Sequence, residues 1–262
     1  MLPTPPLTLH PITLDSLSSP LPDDQYTPWR SSVVDAVTAV LASLPLNAPS
    51  SDVWKPHKLF HAKTAPTQTW SQGRGKKLDV SGVGETDGLR WHCRQTKVEK
   101  EQGTYAEFEE GLLRNHTRNE KEYVESCNEV EQVKVLKEGE LEDTTSPASP
   151  RSFLFLLLTL PITPPSASLR SFAVVSIPVA NGGPDEKHDG KHVKGRYVSV
   201  EHVQETEEGG VVWTMAVSSD PGGLVPHLLS EMAMCSKIAE DVPAFLGWLA
   251  KRRGSAAPSA AA

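Results

Sequence analysis

The chain has 262 residues, a formal net charge of -7 and only 38% hydrophobic residues. An acidic protein gains nothing from counterion release along a phosphate backbone, so this charge disfavours nucleic acid as a partner. The 22 prolines lie mostly in the first 66 residues and in 143–184, which predicts a folded domain shorter than the chain.

Cysteine use and the N-terminal residues indicate a reduced compartment. The spacing of Cys93, Cys127 and Cys235 fits neither a disulfide framework nor a zinc ribbon. The first residues contain no basic stretch followed by an apolar one, so no secretory signal is predicted. The longest apolar run, 153–160, is far shorter than the roughly 20 residues that a membrane-spanning helix needs. We therefore expect a soluble, cytoplasmic protein.

The N-terminal third predicts an arm, a helix and a loop. Residues 1–30 are rich in proline, serine and threonine and are typical of an extended arm. Valines and leucines recur at helical spacing over 31–44, and Pro45 then stops the helix. Residues 57–62 favour a short strand, and the glycine-rich segment 71–88 favours a loop.

The middle of the chain predicts one strand, one helix and then a series of strands. The segment 89–98 favours a strand, and 104–125 favours an amphipathic helix whose many glutamates form a solvated face. Further strands are predicted around Val130–Val135 and at 153–160, 171–179, 193–203 and 211–217. Strands so close together in the chain imply antiparallel pairing.

A long C-terminal helix is the strongest prediction. From Val225 to Leu249 apolar residues recur every three or four positions, and a second apolar set widens that stripe. We expect a kink near Pro243 and a disordered tail at 253–262. Such a helix has two interpretations that periodicity cannot separate: ordinary core packing, or one wall of a ligand cavity.

Motifs for metal or catalytic chemistry are weak. The pairs His57/His61 and His188/His192 have neither the glutamate nor the third ligand that a zinc site needs. The sequence contains no nucleophile elbow, and GVGETDG at 82–88 misses the dinucleotide fingerprint. We therefore predict no cofactor, no metal and no catalytic residue.

Several stretches resemble an uncharacterised family of fungal START-like domains, which belongs to the superfamily of helix-grip lipid-binding folds. The resemblance covers about 89–250, and its last third is the most specific. The matching residues are Trp91-His92-Cys93-Arg94, Asn115-His116 with Glu120 and Glu122-Tyr123, Ser149-Pro150-Arg151, GRYVSVEHV at 195–203, VVWTMAVSSDPGG at 211–223, and MAMCSKIAEDVPAFLGWL at 232–249.

The resemblance implies an α+β helix-grip fold, in which a curved antiparallel sheet wraps around the C-terminal helix. A START-like domain at 31–252 would then follow the N-terminal arm. Domains of this superfamily bind sterols, phospholipids or other apolar molecules, and some transfer them between membranes. We therefore expect a non-enzymatic protein that binds a hydrophobic small molecule or lipid between the sheet and the helix.

The expected walls of that cavity come from two strands and the helix. The predicted ligand-binding residues are Val198, Val200, Trp213, Met215 and Val217 on strands, Leu228, Met232, Ile238, Val242 and Phe245 on the helix, and Arg196 or Glu201 as a headgroup contact. For each side chain, packing in the core is an equally good interpretation. Only the predicted residues taken together support the hypothesis of a ligand cavity.

Two other functions remain open. An enzyme acting on a hydrophobic substrate would need polar residues in the cavity, for which His202, Arg196 and Glu201 are the candidates on strands. A protein-interaction module without a ligand would use the proline-rich segments as docking sites. Transient contact with an anionic membrane through the basic segments 74–77 and 251–253 is also left open.

Overall fold

The computed structural model describes residues 2, 4–13, 21–45, 52–61, 63–114, 116–124, 131–137, 141–148, 151–162, 168–180 and 193–256. For 131–137, 141–148 and Arg151 the description is confined to the backbone. Asn115, Cys127, the pair His188/His192, Ser149-Pro150 and 257–262 of the predicted tail lie outside these ranges. The prediction of a disordered tail is wrong for 253–256, which continue the C-terminal helix.

The fold is α+β, with most strands following one another directly along the chain. The helices are α1 (Asp23–Ser43), α2 (Tyr105–Phe108), α3 (His116–Tyr123) and α4 (His227–Ala256), with a π-helical turn (Glu109–Leu113) directly after α2. The strands are β1 (Ile12–Thr13), β2 (Trp54–Phe60), β3 (Thr67–Gln72), β4 (His92–Val98), β5 (Glu131–Lys137), β6 (Leu141–Ala148), β7 (Arg151–Pro161), β8 (Ser171–Ala180), β9 (Val193–Glu205) and β10 (Val211–Asp220).

Within the described residues, ten strands form one sheet with the order β2-β3-β4-β10-β9-β8-β7-β6-β5, and β1 pairs with β8. Strands β5 to β10 follow one another as antiparallel neighbours, as their short separation in sequence predicts. The last strand, β10, then pairs with β4, which comes much earlier in the chain. Strand β10 therefore lies at the centre of the sheet, between β4 and β9.

The first helix begins earlier than its apolar periodicity predicts. The predicted segment was 31–44, but α1 starts at Asp23, and its first turn also contains Asp24. Carboxylates near a helix N-terminus are stabilised by the helix dipole. Tyr26 and Trp29 in this extra part are buried, so the last residues of the expected arm belong to the core.

The helix predicted over 104–125 is divided into three parts. Thr104 caps α2 in a capping box with Glu107, and the π-helical turn follows at once. Arg114 then has an extended conformation, with ψ of 136°, and α3 starts two residues later at His116. This break separates α3 from the π-helical turn, and α3 contributes residues to the cavity described below.

Both faces of the sheet are covered. An outer core joins α1, through Val33, Val37 and Val40, to apolar residues on β7, β8 and β9. An inner core joins α2, the π-helical turn and α4 to the other face, where Phe172, Val203, Val211 and Trp213 project from the strands. Successive side chains of each strand therefore enter different cores.

Candidate functional site

A cavity of about 210 Å³ lies on the inner face of the sheet, between the sheet and helices α3 and α4. It is lined by His116, Glu120, Tyr123, Val124, Phe153, Val174, Ser176, Tyr197, Ser199, Glu201, Trp213, Met215 and Asp241. Seven of these thirteen residues are aromatic or aliphatic, and the other six are a histidine, two serines and three carboxylic acids. The wall therefore combines apolar surface with several polar groups that could orient a ligand.

Strands β9 and β10 position the floor of the cavity. On β9 the inward positions are Tyr197, Ser199 and Glu201, while the residues between them point to the outer core. The antiparallel register sets Met215 of β10 directly opposite Glu201. Trp213, two residues before Met215, lies on the same face because side chains alternate along a strand.

A buried ion pair supports this floor. Arg94 on β4 has no exposed surface, and its Nη2 lies 3.1 Å from Oε1 of Glu201. Trp213 Nε1 donates a 2.8 Å hydrogen bond to the same oxygen, and the Arg94 guanidinium carbon lies 4.0 Å from the centre of the Trp213 ring. In the described part of the chain, Nε and Nη1 of Arg94 have no hydrogen-bond partner. The three side chains thus hold one another in place beneath the cavity.

The π-helical turn positions His116 at the cavity wall. A π-helical turn leaves carbonyl groups unpaired, and such turns recur at functional sites. Here Leu112 O lies 2.7 Å from His116 Nδ1, and Asn119 Nδ2 donates to the carbonyls of Glu110, Gly111 and Arg114. These bonds fix the first turn of α3 and orient the imidazole ring, whose Nε2 lies 3.8 Å from a carboxylate oxygen of Glu120.

Carboxyl groups that project into the cavity have shifted pKa values. Burial raises the pKa of Asp241 to about 7, and the nearby Arg94 only partly offsets that rise. Burial also raises the pKa of Glu120, against a smaller opposing effect of His116. The pKa of the Tyr123 phenol lies well above its usual range, mainly through burial and then through Glu120 and Glu201. The polar end of the cavity is therefore rich in acids.

Aromatic rings connect the cavity to α4. Tyr123 lies 5.3 Å from Phe245 and Trp213 lies 5.3 Å from the same ring, measured between ring centres. Phe153 and Tyr197 form a further edge-to-face pair at 5.5 Å. Aromatic pairs at these distances stabilise a packed arrangement beyond the area that they bury. Phe245 therefore joins α4 to α3 and β10 beside the cavity.

The predicted ligand-binding residues lie in several places. Trp213 and Met215 line the cavity, and Val217 is buried on the same face of β10. Val242 and Phe245 belong to the inner core beside it, and Ile238 is buried on α4. Outside the cavity, Val198 and Val200 belong to the outer core, Leu228 and Met232 are exposed, and Arg196 pairs with Asp220. Contact between these side chains and a ligand stays a prediction.

The residues named for an enzyme are also divided. Glu201 lines the cavity, whereas Arg196 is held by Asp220 and His202 lies on the opposite face of β9. Burial lowers the pKa of His202 to about 4, so this ring is neutral at physiological pH. Ten lining residues were not assigned as ligand contacts from the sequence: His116, Glu120, Tyr123, Val124, Phe153, Val174, Ser176, Tyr197, Ser199 and Asp241.

Among the described residues, neither a membrane-spanning helix nor a metal-binding cluster is present. In those ranges no helix combines the length and apolarity needed to cross a membrane. Nor do the described histidines, cysteines and carboxylates assemble a group of three or more that could hold a metal ion. His61, one of the histidines considered above, instead makes a 3.0 Å hydrogen bond from Nε2 to Ala239 O on α4.

Solved structures with the same fold include several lipid-transfer proteins. Human StAR-related lipid transfer protein 5 matches with a TM-score of 0.60 at 12% identity, over 86% of this chain and 99% of that one. Human STARD10 matches with a TM-score of 0.58 at 13% identity, over 88% of this chain and 81% of that one. A StAR-related lipid transfer protein fragment from Xanthomonas axonopodis matches with a TM-score of 0.53 at 13% identity, over 76% of this chain and 99% of that one.

At such low sequence identities, structural similarity shows the fold alone. That fold confirms the predicted α+β START-like, helix-grip class. No curated protein matches the sequence. A family model described as "Protein of unknown function (DUF3074)" matches residues 91–249, which is more than half of the chain. The match begins at Trp91, the first residue of a motif noted in the sequence, and ends at Leu249, the end of the predicted helix. The chain therefore belongs to this family of START-like domains of unknown function.

Proposed function

We propose that this protein binds a hydrophobic small molecule, such as a lipid or sterol, in the cavity between the sheet and α4. The observation that carries the proposal is the cavity itself, lined by Tyr123, Phe153, Val174, Trp213 and Met215. A space of about 210 Å³ with apolar side chains in its wall offers a ligand both room and apolar surface. Burial of apolar ligand surface contributes about 25 cal/mol per Å².

The size of the cavity sets a condition on the ligand. Sites for drug-sized molecules span about 300–1,000 Å³, and this cavity, at about 210 Å³, is smaller. A sterol or a phospholipid therefore needs α3 or α4 to move away from the sheet. Phe245 on α4 would have to give up its ring contacts with Tyr123 and Trp213 in that motion.

Transfer between membranes is the finer form of the proposal. Apolar side chains are exposed at the start of α4, where Leu224, Leu228, Leu229 and Met232 project outward. Exposed apolar patches of this kind mark contact with membranes or other proteins. Such a patch would let α4 touch a bilayer while the ligand enters or leaves. A cytoplasmic location suits a carrier of this kind and stays a prediction.

The test is a variant in which a side chain fills the cavity. Ser199 is buried and lines the cavity, so Ser199→Phe places a ring inside it. We expect this variant to bind an apolar fluorescent fatty-acid or sterol probe at least tenfold more weakly than the wild type. The matched control is Ser31→Phe on the exposed surface of α1, which should leave binding unchanged.

Circular dichroism and thermal unfolding would show that each variant is folded, and Ser176→Phe provides a second filling variant on the neighbouring strand. Wild-type affinity in a folded Ser199→Phe protein would place the ligand elsewhere. A folded wild type that binds none of the probes would contradict the proposed function.

A further inference from the structure

Carboxyl groups supply the charge of the cavity, beside the hydroxyls of Tyr123, Ser176, Tyr197 and Ser199. Glu120 on α3, Glu201 on β9 and Asp241 on α4 all line it. Of these, Glu201 is occupied by Arg94 and Trp213. The half-buried carboxyl group of Asp241 has no hydrogen bond or ion pair within the described part of the chain. A carboxyl group that lines the cavity without a donor from the protein can accept one from a ligand.

His116 is held beside Glu120 at the cavity wall. A carbonyl oxygen only accepts hydrogen bonds, so the 2.7 Å contact with Leu112 O places a proton on Nδ1. The other ring nitrogen, Nε2, faces the carboxyl group of Glu120 at 3.8 Å. Glu120 on α3 and Asp241 on α4 thus present carboxyl groups to a ligand from two helices.

We propose that the ligand is a hydrophobic amine, whose protonated nitrogen meets Asp241 and Glu120 while its apolar body fills the rest of the cavity. This inference rests on the proposed function and names the class of ligand for the same site. An ammonium group offers three donors and a positive charge, which complement the acceptors. The aromatic ring of Tyr123 in the wall also attracts a cation. A ligand carboxylate or phosphate would instead be repelled.

The pH dependence of amine binding provides a second test of the proposal. Asp241 is faced by Arg94 on β4, Glu201 on β9, Glu120 and Tyr123 on α3, and Glu240 on its own helix. Because the pKa of Asp241 is raised to about 7 in the empty protein, a bound cation must expel the proton. Amine affinity should therefore rise between pH 6 and pH 8, and binding should release protons.

The experiment is isothermal titration calorimetry of the full chain with three probes of one chain length: octylamine, octan-1-ol and octanoate. We expect octylamine to bind at least tenfold more tightly than octan-1-ol at pH 7.5, and octanoate to bind most weakly. Asp241→Asn should remove most of the preference for octylamine over octan-1-ol. Glu240→Gln, an exposed neighbour on the same helix, is the matched control and should keep the preference.

The outcomes separate this proposal from the function on which it rests. Equal affinity for all three probes, or tighter binding of octan-1-ol, would overturn the amine and leave a hydrophobic site intact. A folded wild type that binds none of the probes would overturn both. If Asp241→Asn does not fold, Glu120→Gln gives the same comparison, and an unchanged octylamine preference in a folded variant would exclude the assigned carboxylates.

Discussion

Arg94 Nη2 lies 3.1 Å from Glu201 Oε1, and this ion pair connects β4 to β9 across the strand between them. The intervening strand contributes Trp213, whose indole nitrogen donates to the same carboxylate oxygen. The contact thus joins three neighbouring strands under the cavity. It also neutralises Glu201, so Asp241 and Glu120 keep the acidic character of the site.

Removal of one partner of this pair should destabilise the protein. Glu201→Met leaves the Arg94 guanidinium buried without its carboxylate, which costs about 3–5 kcal/mol in the free energy of unfolding. Urea denaturation measures that loss, with Glu207→Met in the exposed turn after β9 as the control. The double variant Arg94→Met/Glu201→Met should lose less than the sum of the two single variants. Strict additivity would mean that the two charges are not coupled.

The glycine in the π-helical turn is required by close packing against α4. A β-carbon at Gly111 would lie 2.7 Å from atoms of the Phe245 ring and 3.0 Å from Trp248. Gly111→Ala should therefore reduce the free energy of unfolding by about 1–3 kcal/mol through overpacking. The matched control is Gly247→Ala in α4, where a β-carbon meets no atom within 4 Å.

Because alanine is favoured over glycine inside a helix, Gly247→Ala should stabilise the protein by about 0.5–1 kcal/mol. Thermal unfolding of Gly111→Ala and of Gly247→Ala measures the change in stability at each glycine. Equal effects at the two glycines would contradict the close contact between the π-helical turn and α4.

Asp241 should make the free energy of unfolding fall as the pH rises, the opposite of the effect of a salt-bridged carboxyl group. Its pKa is raised from 3.8 to about 7, so the folded state binds more protons than the unfolded state between these values. Its contribution to the free energy of unfolding therefore falls as the pH rises from about 4 to about 7. The stability of Asp241→Asn relative to the wild type should rise over this window, by up to about 1.4 kcal/mol per pH unit.

Urea denaturation at several pH values tests this, and the Glu240→Gln control should show no such trend. A difference between Asp241→Asn and the wild type that does not change with pH would show that Asp241 is ionised in the folded protein throughout.

His202 should make the free energy of unfolding rise with pH, the opposite of the effect of Asp241. Burial lowers its pKa from 6.5 to about 4, so the unfolded state binds the extra proton and the wild type loses stability as the pH falls through this range. His202→Leu removes that loss, and its stability relative to the wild type should increase below about pH 6.5. His57→Leu at an exposed position is the control. A constant difference between His202→Leu and the wild type would contradict a buried neutral ring.

Periodicity predicted the elements that bury one regular face. The alternation at 211–217 and the apolar repeat up to Leu249 correspond to β10 and α4. Strand β3 was missed because most of its buried residues are polar. Thr67 is satisfied by Thr96 at 2.7 Å, and the side-chain oxygen of Gln72 accepts from Trp91 N. Hydrogen bonds to neighbouring strands, which the sequence does not show, make that strand a part of the core.

The cavity residues were harder to predict because both faces of the sheet are covered. On β9 the apolar positions Val198 and Val200 suggested the cavity wall, yet they lie in the outer core with α1, and the polar position Ser199 lines the cavity. Likewise, the interpretation of the helical glutamates as a solvated face fails for Glu120, which lines the cavity. A signal was present, since His116, Glu120 and Tyr123 belong to the motifs that resemble the family.

The most direct test of a hydrophobic ligand is native mass spectrometry of the full chain purified from a eukaryotic host, with extraction and identification of bound molecules. We predict a stoichiometric apolar adduct on the wild type that Ser199→Phe reduces and Ser31→Phe retains. A wild type that is folded, carries no adduct and takes up none from a broad lipid panel would contradict the account.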